Sequence, residues 1–388
     1  LEALFAAKPV VRLVNNIVLE AIRRNASDIH IRPGEHDVEL IFRIDGELTP
    51  IRRFARTLLP AIIGRIKILG VMDITERRLP QDGQMRIREA HRATDIRISV
   101  MPSIEGESVV MRLLRATVGM KDVVDLGLSP ADTQRFKDAL DRSHGMFLVT
   151  GPTGSGKSTT LYAALNLVLH HNVNIITVEN PVEYHIPGIT QIPINADVGM
   201  TFATALRNIL RHDPDVIMVG EIRDQETARI AVQSALTGHL LLSTLHTNSA
   251  VATIPRLIEM GIEGYLLRAT LIAVLAQRLV RHTCSECRVA DDVDPHMREL
   301  LVVSPSERFL RGAGCSACAG TGIRGRRMTY EYLQITPSLR HLLEAGVDEA
   351  SIQEQALRDG MVPLTQHAVG LARAGEISLH EAYATRLE

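Results

Sequence analysis

Gly151-Pro152-Thr153-Gly154-Ser155-Gly156-Lys157-Ser158 decides the fold of this 388-residue chain. The octamer has the form G-x-x-x-x-G-K-[ST], and its flanks are those the motif requires. Residues 147–150 read Phe-Leu-Val-Thr, a short β-prone run, and Leu161, Leu165, Val168 and Leu169 then recur on one helical face. Strand, glycine-rich turn and helix in that order let backbone N–H groups curl round phosphate oxygens with no Cβ in the way. The candidate phosphate-binding residues are therefore Gly151, Pro152, Thr153, Gly154, Ser155, Gly156, Lys157, Ser158 and Thr159. Lys157 places a point charge between the β- and γ-phosphates, and Ser158 offers a hydroxyl to Mg²⁺. The chain is expected to bind a nucleoside triphosphate.

Length and composition allow two or three domains with sizeable cores, at 45% hydrophobic residues. No apolar run approaches the roughly 18 residues of a membrane span. No signal peptide opens the chain, and Leu1 rather than Met suggests a fragment lacking an N-terminal piece. A net charge of −2 gives no bulk attraction to nucleic acid. With no Trp, six Tyr and seven Phe, stacking platforms for single strands are not expected.

Residues 1–118 read as an α+β unit. Residues 9–24 are helical in period, with Leu13, Val14, Ile17 and Ala21 on one stripe. Val38, Leu40, Phe42 and Ile44 alternate up to an Asp45-Gly46 hairpin turn, and a strand with Ile96, Ile98 and Val100 pairs with residues 85–88. Residues 119–130, containing Gly119, Gly127 and Pro130, read as a linker. The pattern then changes. Four nearly continuous apolar runs (147–150, 175–178, 216–219 and 240–242) alternate with helical stretches, as in a mainly parallel sheet buried on both faces. Asp224 is placed to cap a helix ending at Gly238. From about Tyr265 the chain reads as mostly helical, broken by a cysteine segment.

Three further blocks carry chemistry. Glu221 follows the third run, where Mg²⁺ and its water need charge; it suits a contact to metal through water or a role with the attacking water. Glu179 and Glu183 straddle Pro181 after the second run and read either as acids that orient water or as loop acids. His239 and His246 bracket the fourth run; seven residues apart, they would point to opposite faces of a strand and not share a metal. One of them is a candidate γ-phosphate sensor, the alternative being a structural histidine. Finally, Cys284-x-x-Cys287 and Cys315-x-x-Cys318 have the makings of a closed tetrahedral zinc site, with a redox pair as the runner-up.

These blocks, in this order, resemble the secretion ATPase superfamily, whose Walker A, Asp box, Walker B and His box they match. Ala26-Ser27-Asp28-Ile29-His30-Ile31 and Leu79-Pro80-Gln81-Asp82-Gly83 resemble two further signatures. Leu275-Ala276-Gln277-Arg278-Leu279-Val280-Arg281 and Glu183-Tyr184-His185-Ile186-Pro187-Gly188 fit the type II secretion branch, close to type IV pilus assembly ATPases. The resemblance implies a RecA-like P-loop core spanning 131–388, a smaller PAS-like α+β domain before it, a zinc module at 280–330 and a helical region at 331–388. It implies ATP, Mg²⁺ and Zn²⁺ as cofactors, and Glu183, then Glu179, with Glu221 and Lys157 as catalytic residues. Arg97 and Arg112 fit its charge-stabilising arginines, and His246 its nucleotide sensor. A homo-hexamer is implied, cytoplasmic and peripheral to the inner membrane. Its partners would be an inner-membrane platform protein and cytoplasmic-domain proteins, met through an additional N-terminal docking domain, and not nucleic acid. Two positions depart from the pattern: Asn180 stands where the Asp box usually has Asp, and Gln84 where an arginine usually follows Pro-Gln-Asp-Gly, leaving Arg86 as the nearest substitute. Pilus assembly, a nucleic-acid translocase and a non-hydrolysing scaffold are the competing readings.

Overall fold

A computed structural model of the chain describes residues 8–89, 92–115, 121–345 and 348–386. The chain divides into two compact units, Leu1–Gly119 and Met120–Glu388. In the first, helix α1 (Lys8–Arg23) precedes β1 (Asp28–Pro33), β2 (Asp37–Ile44) and β3 (Glu47–Ala55). Helix α2 (Leu59–Leu69), β4 (Gln81–Glu89), β5 (Arg92–Ser103) and β6 (Gly106–Arg115) follow. The six strands form one antiparallel sheet in the order β3-β2-β1-β6-β5-β4. Val14, Ile17, Ala21, Ile62 and Ile66 of the helices bury one sheet face, meeting Ile29, Ile31, Phe42, Ile96, Ile98 and Met111. Asp45 and Gly46 both adopt positive φ (49° and 93°), the conformation that a tight two-residue hairpin demands. Met85 pairs with Ile96, as the alternation anticipates.

Residues 121–130 differ from a free connector. Val123 and Leu126 lie in a short 3₁₀ turn capped by Asp122, and with Leu128 they are buried in the core of the second unit. Apolar spacing, not glycine content, decides their fate there. Gly119 lies outside the described residues.

The second unit is an α/β fold. It contains α3 (Pro130–Leu140), β7 (Gly145–Thr150), α4 (Lys157–Leu169), β8 (Ile175–Glu179), β9 (Thr190–Pro193), α5 (Phe202–Ile209), β10 (Val216–Val219), α6 (Gln225–Leu236) and β11 (Leu240–Leu245). Then come α7 (Thr253–Glu259), α8 (Gly264–Thr270), β12 (Leu271–Thr283), β13 (Arg288–Ala290), α9 (Pro295–Leu300), β14 (Leu310–Gly312) and β15 (Ile323–Gln334). Four helices end the chain: α10 (Pro337–Ala345), α11 (Glu349–Arg358), α12 (Leu364–Arg373) and α13 (Leu379–Tyr383). The seven-stranded sheet runs β15-β12-β7-β11-β10-β8-β9, parallel except for the β12–β15 pair. Every residue of β7, β8, β10 and β11 is buried, because apolar layers cover both faces.

Residues 271–283 correct the helical expectation. Leu-Ile-Ala-Val-Leu-Ala is rich in helix formers, yet here it lies beside β7 as a strand whose first seven residues are buried. Tertiary contact overrides propensity in a short apolar run, where periodicity does not distinguish strand from helix. β15 likewise occupies residues assigned to the cysteine segment and to the helical region after it.

Candidate functional site

The loop between β7 and α4 is shaped by three glycines in left-handed conformations: Gly151, Gly154 and Gly156, with φ of 139°, 82° and 93°. A Cβ on Gly151 would lie 2.3 Å from the Gln277 carbonyl, so close approach as well as backbone angle requires glycine there. α4 begins at Lys157 with no side-chain cap, leaving its first N–H groups aimed into the loop, as an anion site needs. Ser158 and Thr159 are exposed in that first turn. Lys157 Nζ donates to the carbonyls of Gly151 (2.7 Å) and Pro152 (3.1 Å), which holds the ammonium over the loop. Burial pulls its pKa below the usual lysine range, and the Glu221 charge opposes that shift.

Glu221 follows β10, its side chain 13% exposed. Its carboxylate lies 2.6 Å from Arg223 Nε and 3.3 Å from His246 Nε2. The loop carrying His246 is stitched to the phosphate loop through hydroxyls: Thr150 Oγ1 donates within a cluster formed with Thr247 and the Leu245 carbonyl, and Thr247 N–H donates back to Thr150 Oγ1. Thr244 Oγ1 donates to the Gly220 carbonyl at 2.7 Å, fastening β11 to the turn before Glu221. His239 sits at the other end of β11, with Nδ1 2.9 Å from the Ser234 carbonyl. The strand thus separates the two histidines that sequence treats alike.

After β8, Glu179 is 4% exposed and its carboxylate accepts from Thr177 Oγ1 (2.6 Å), Gln191 Nε2 (3.2 Å) and the Tyr162 hydroxyl. Burial, then this carboxylate, push the Tyr162 phenol far above its usual range. The same hydroxyl accepts from the backbone N–H of Glu183 at 3.2 Å, so Tyr162, on α4, clasps the loop that bears the exposed Glu183. Tyr162→Phe keeps the ring edge-on to Tyr184 and removes the donor. The expected result is a loss of about 1–3 kcal/mol in urea-unfolding stability. An unchanged unfolding midpoint would show that Glu179 does not need the hydroxyl.

Two buried polar residues escaped the sequence reading as contributors to this region. Gln277, on β12 and 1% exposed, donates to the Ser155 carbonyl and accepts from Thr160 Oγ1, both at 2.8 Å, bracing the phosphate loop and its helix from behind. Glu331, on β15, accepts the N–H groups of Ala250 (2.5 Å) and Leu364 (3.0 Å), tying the segment after His246 to the first residue of α12. Burial raises its pKa. A polar residue inside an apolar run was the available signal at position 277; only the paired strand reveals it at 331.

Arg97 and Arg112 lie opposite each other on β5 and β6 of the first unit. Arg86 is bound by Asp95 through Nε (2.5 Å) and a terminal nitrogen (2.9 Å), so it is already paired within the sheet.

The four cysteine sulfurs lie within 4.8 Å of one another, with Sγ–Sγ distances of 3.9 Å (284–315), 3.9 Å (287–318) and 3.7 Å (315–318). A tetrahedron with metal–sulfur bonds of about 2.3 Å has edges of about 3.8 Å. Backbone N–H groups of Cys315 and Gly322 donate to Cys318 Sγ, and that of Gly314 to Cys287 Sγ, as thiolates require. The donor set fits a tetrahedral thiolate-bound ion.

A family model described as "Type II/IV secretion system protein" matches residues 4–384. The chain is 45% identical over 381 residues to the type IV pilus assembly ATPase PilB of Thermus thermophilus, covering 97% of this chain and 43% of that protein. It therefore spans less than half of that relative's length. It is 47% identical over 353 residues to type II secretion system protein E of Klebsiella pneumoniae, covering 91% of this chain and 71% of that one. Among solved structures, the pilus retraction motor PilT with bound ADP is 26% identical at a TM-score of 0.64, covering 96% of both chains. The ATPase DotB of Legionella pneumophila shares the fold at a TM-score of 0.71 and 22% identity, covering 96% of this chain and 94% of DotB. Among the described residues, no helix is long and apolar enough to cross a membrane.

Proposed function

We propose, since this chain belongs to the type II/IV secretion system protein family, that it hydrolyses ATP to drive type II protein secretion by assembling a pseudopilus at the inner membrane. The observation carrying this reading is that the loops after β7, β8, β10 and β11 leave the same edge of a parallel sheet, where ligands of such folds sit. Residues 151–159 hold the phosphates, with Lys157 neutralising charge on the β- and γ-groups. Glu221 and Glu183 orient the attacking water, and His246, 3.3 Å from Glu221, reports the state of the γ-phosphate. Mg²⁺, when bound, neutralises the phosphate oxygens; Ser158 and, through water, Glu221 would hold it. Arg97 and Arg112 stabilise charge on the transferred group. The working assembly is a ring of six copies in the cytoplasm, engaging a membrane platform protein and cytoplasmic-domain partners.

Support for type IV pilus assembly as the second reading is the 45% identity to the Thermus relative. Two assays separate them: complementation of a secretion-deficient strain, read as exported protein, and of a pilus-deficient strain, read as surface pili. Rescue of pili alone would overturn the first reading. Hydrolysis stimulated by DNA would favour a translocase instead. The cysteine cluster holds a structural zinc in this scheme, since four sulfurs leave no open position. Metal analysis is expected to find one zinc per chain, lost in Cys318→Ser together with heat stability of the segment around it. Four titratable thiols and no zinc in freshly purified protein would refute this.

A further inference from the structure

Asp28, in the Ser27-Asp28-Ile29-His30 motif, has no role in the scheme above, yet its surroundings are unusual. The register of four strand pairs places Arg43, Asp28, Arg112, Arg97 and Gln84 directly opposite one another across β2, β1, β6, β5 and β4. Three guanidiniums therefore share one row with a single carboxylate. Two of them, Arg112 and Arg97, are immediate cross-strand neighbours, an arrangement that like-charge repulsion opposes. The carboxylate beneath them is nearly closed off, its side chain 7% exposed, while that of Arg112 is 62% exposed.

The contacts are specific in direction. Asp28 Oδ1 accepts from Arg112 Nε at 2.9 Å. Asp28 Oδ2 accepts from Ser27 Oγ at 2.7 Å and lies 3.8 Å from Arg43 Nε. Arg43 turns its own terminal nitrogen to the Gly46 carbonyl at 2.7 Å, so it is committed to the hairpin. Arg112 is different. Asp28 grips it by the inner Nε, which leaves the two terminal amino groups as the accessible fork. A guanidinium held this way keeps its bidentate face for an oxyanion and loses little rotamer freedom on binding one.

We infer that Asp28 is a positioning residue: it never meets the nucleotide, but it fixes Arg112 with its fork outward and offsets the repulsion between Arg112 and Arg97. This rests on the reading that Arg112 stabilises phosphoryl-transfer charge. It assigns the Ser-Asp pair of the motif a purpose in catalysis rather than in folding alone.

A double-mutant cycle on the purified full chain tests it. Asp28→Asn keeps the shape and the Ser27 contact and removes the charge. It is expected to lower kcat for ATP hydrolysis about 10- to 100-fold, with KM changed less than about threefold. In an Arg112→Ala background the same substitution is expected to change kcat by less than about twofold, because the group it positions is gone. Equal losses in both backgrounds, or no loss in either, would overturn the inference while leaving the ATPase reading intact. Normal turnover by Arg112→Ala itself would instead remove Arg112 from the mechanism, and the inference with it. Should Asp28→Asn not fold, Ser27→Ala serves in its place: it withdraws one anchor from Oδ2 and is expected to lower kcat a few-fold in the presence of Arg112 only. Ser27→Ala turnover equal to the parent would count against the proposal.

Discussion

Lys157→Ala is expected to reduce ATP hydrolysis roughly 10³-fold or more. That corresponds to about 4 kcal/mol of transition-state stabilisation. The ammonium already reaches across its own loop to the carbonyls of Gly151 and Pro152, and it lies within the field of Glu221. On the proposed function this charge serves the β- and γ-phosphates, in surroundings buried enough to depress its pKa. Alanine removes the only side-chain cation of the glycine-rich octamer while preserving the glycine geometry and the start of α4. The measurement is phosphate release from ATP with Mg²⁺, beside a thermal unfolding curve that should move little because the side chain is only partly buried. Parental turnover by the variant would remove the phosphate loop from the chemistry and the proposed function with it.

Glu221→Gln is the second large effect, a drop of about 10²- to 10³-fold in kcat with nucleotide affinity kept within about threefold. Glutamine has the same length and still accepts from Arg223 and His246, whose nitrogens lie 2.6 and 3.3 Å from the carboxylate. What it loses is negative charge, which a metal-bound or attacking water needs and a phosphate-binding contact does not. Equilibrium binding of a nonhydrolysable ATP analogue, compared with kcat, separates the two. If affinity falls as far as turnover, Glu221 organises the loop rather than the reaction.

The residues legible in the sequence share one property: their roles follow from local chemistry. Gly151, Gly154 and Gly156 announce backbone angles that other residues avoid, and all three adopt them. Asp224 announces a helix cap, and its Oδ1 accepts from Thr227 N–H at 2.8 Å. The paired C-x-x-C segments announce a four-sulfur cluster because each knuckle is local and only their meeting is not. Failures arose where the deciding contact is remote. Residues 271–283 become a strand because β7 and β15 flank them. Residues 123–128 fold into a core that a glycine-rich reading does not foresee. Position 180 carries no charge, and the phenol from α4 that holds Glu179 and the Glu183 amide on either side of it is visible only in space.

By itself, then, the amino-acid order announced a glycine-rich turn between a strand and a helix, the apolar runs of a parallel sheet, and two cysteine knuckles, since each of these signals lies within a few neighbouring positions. The tertiary structure alone decided which histidine stands beside Glu221, which of two acids is locked inside, and that a single carboxylate underlies a row of arginines. Those outcomes depend on strand order and register, which bring Arg112 to Asp28 across 84 positions and which no local pattern encodes.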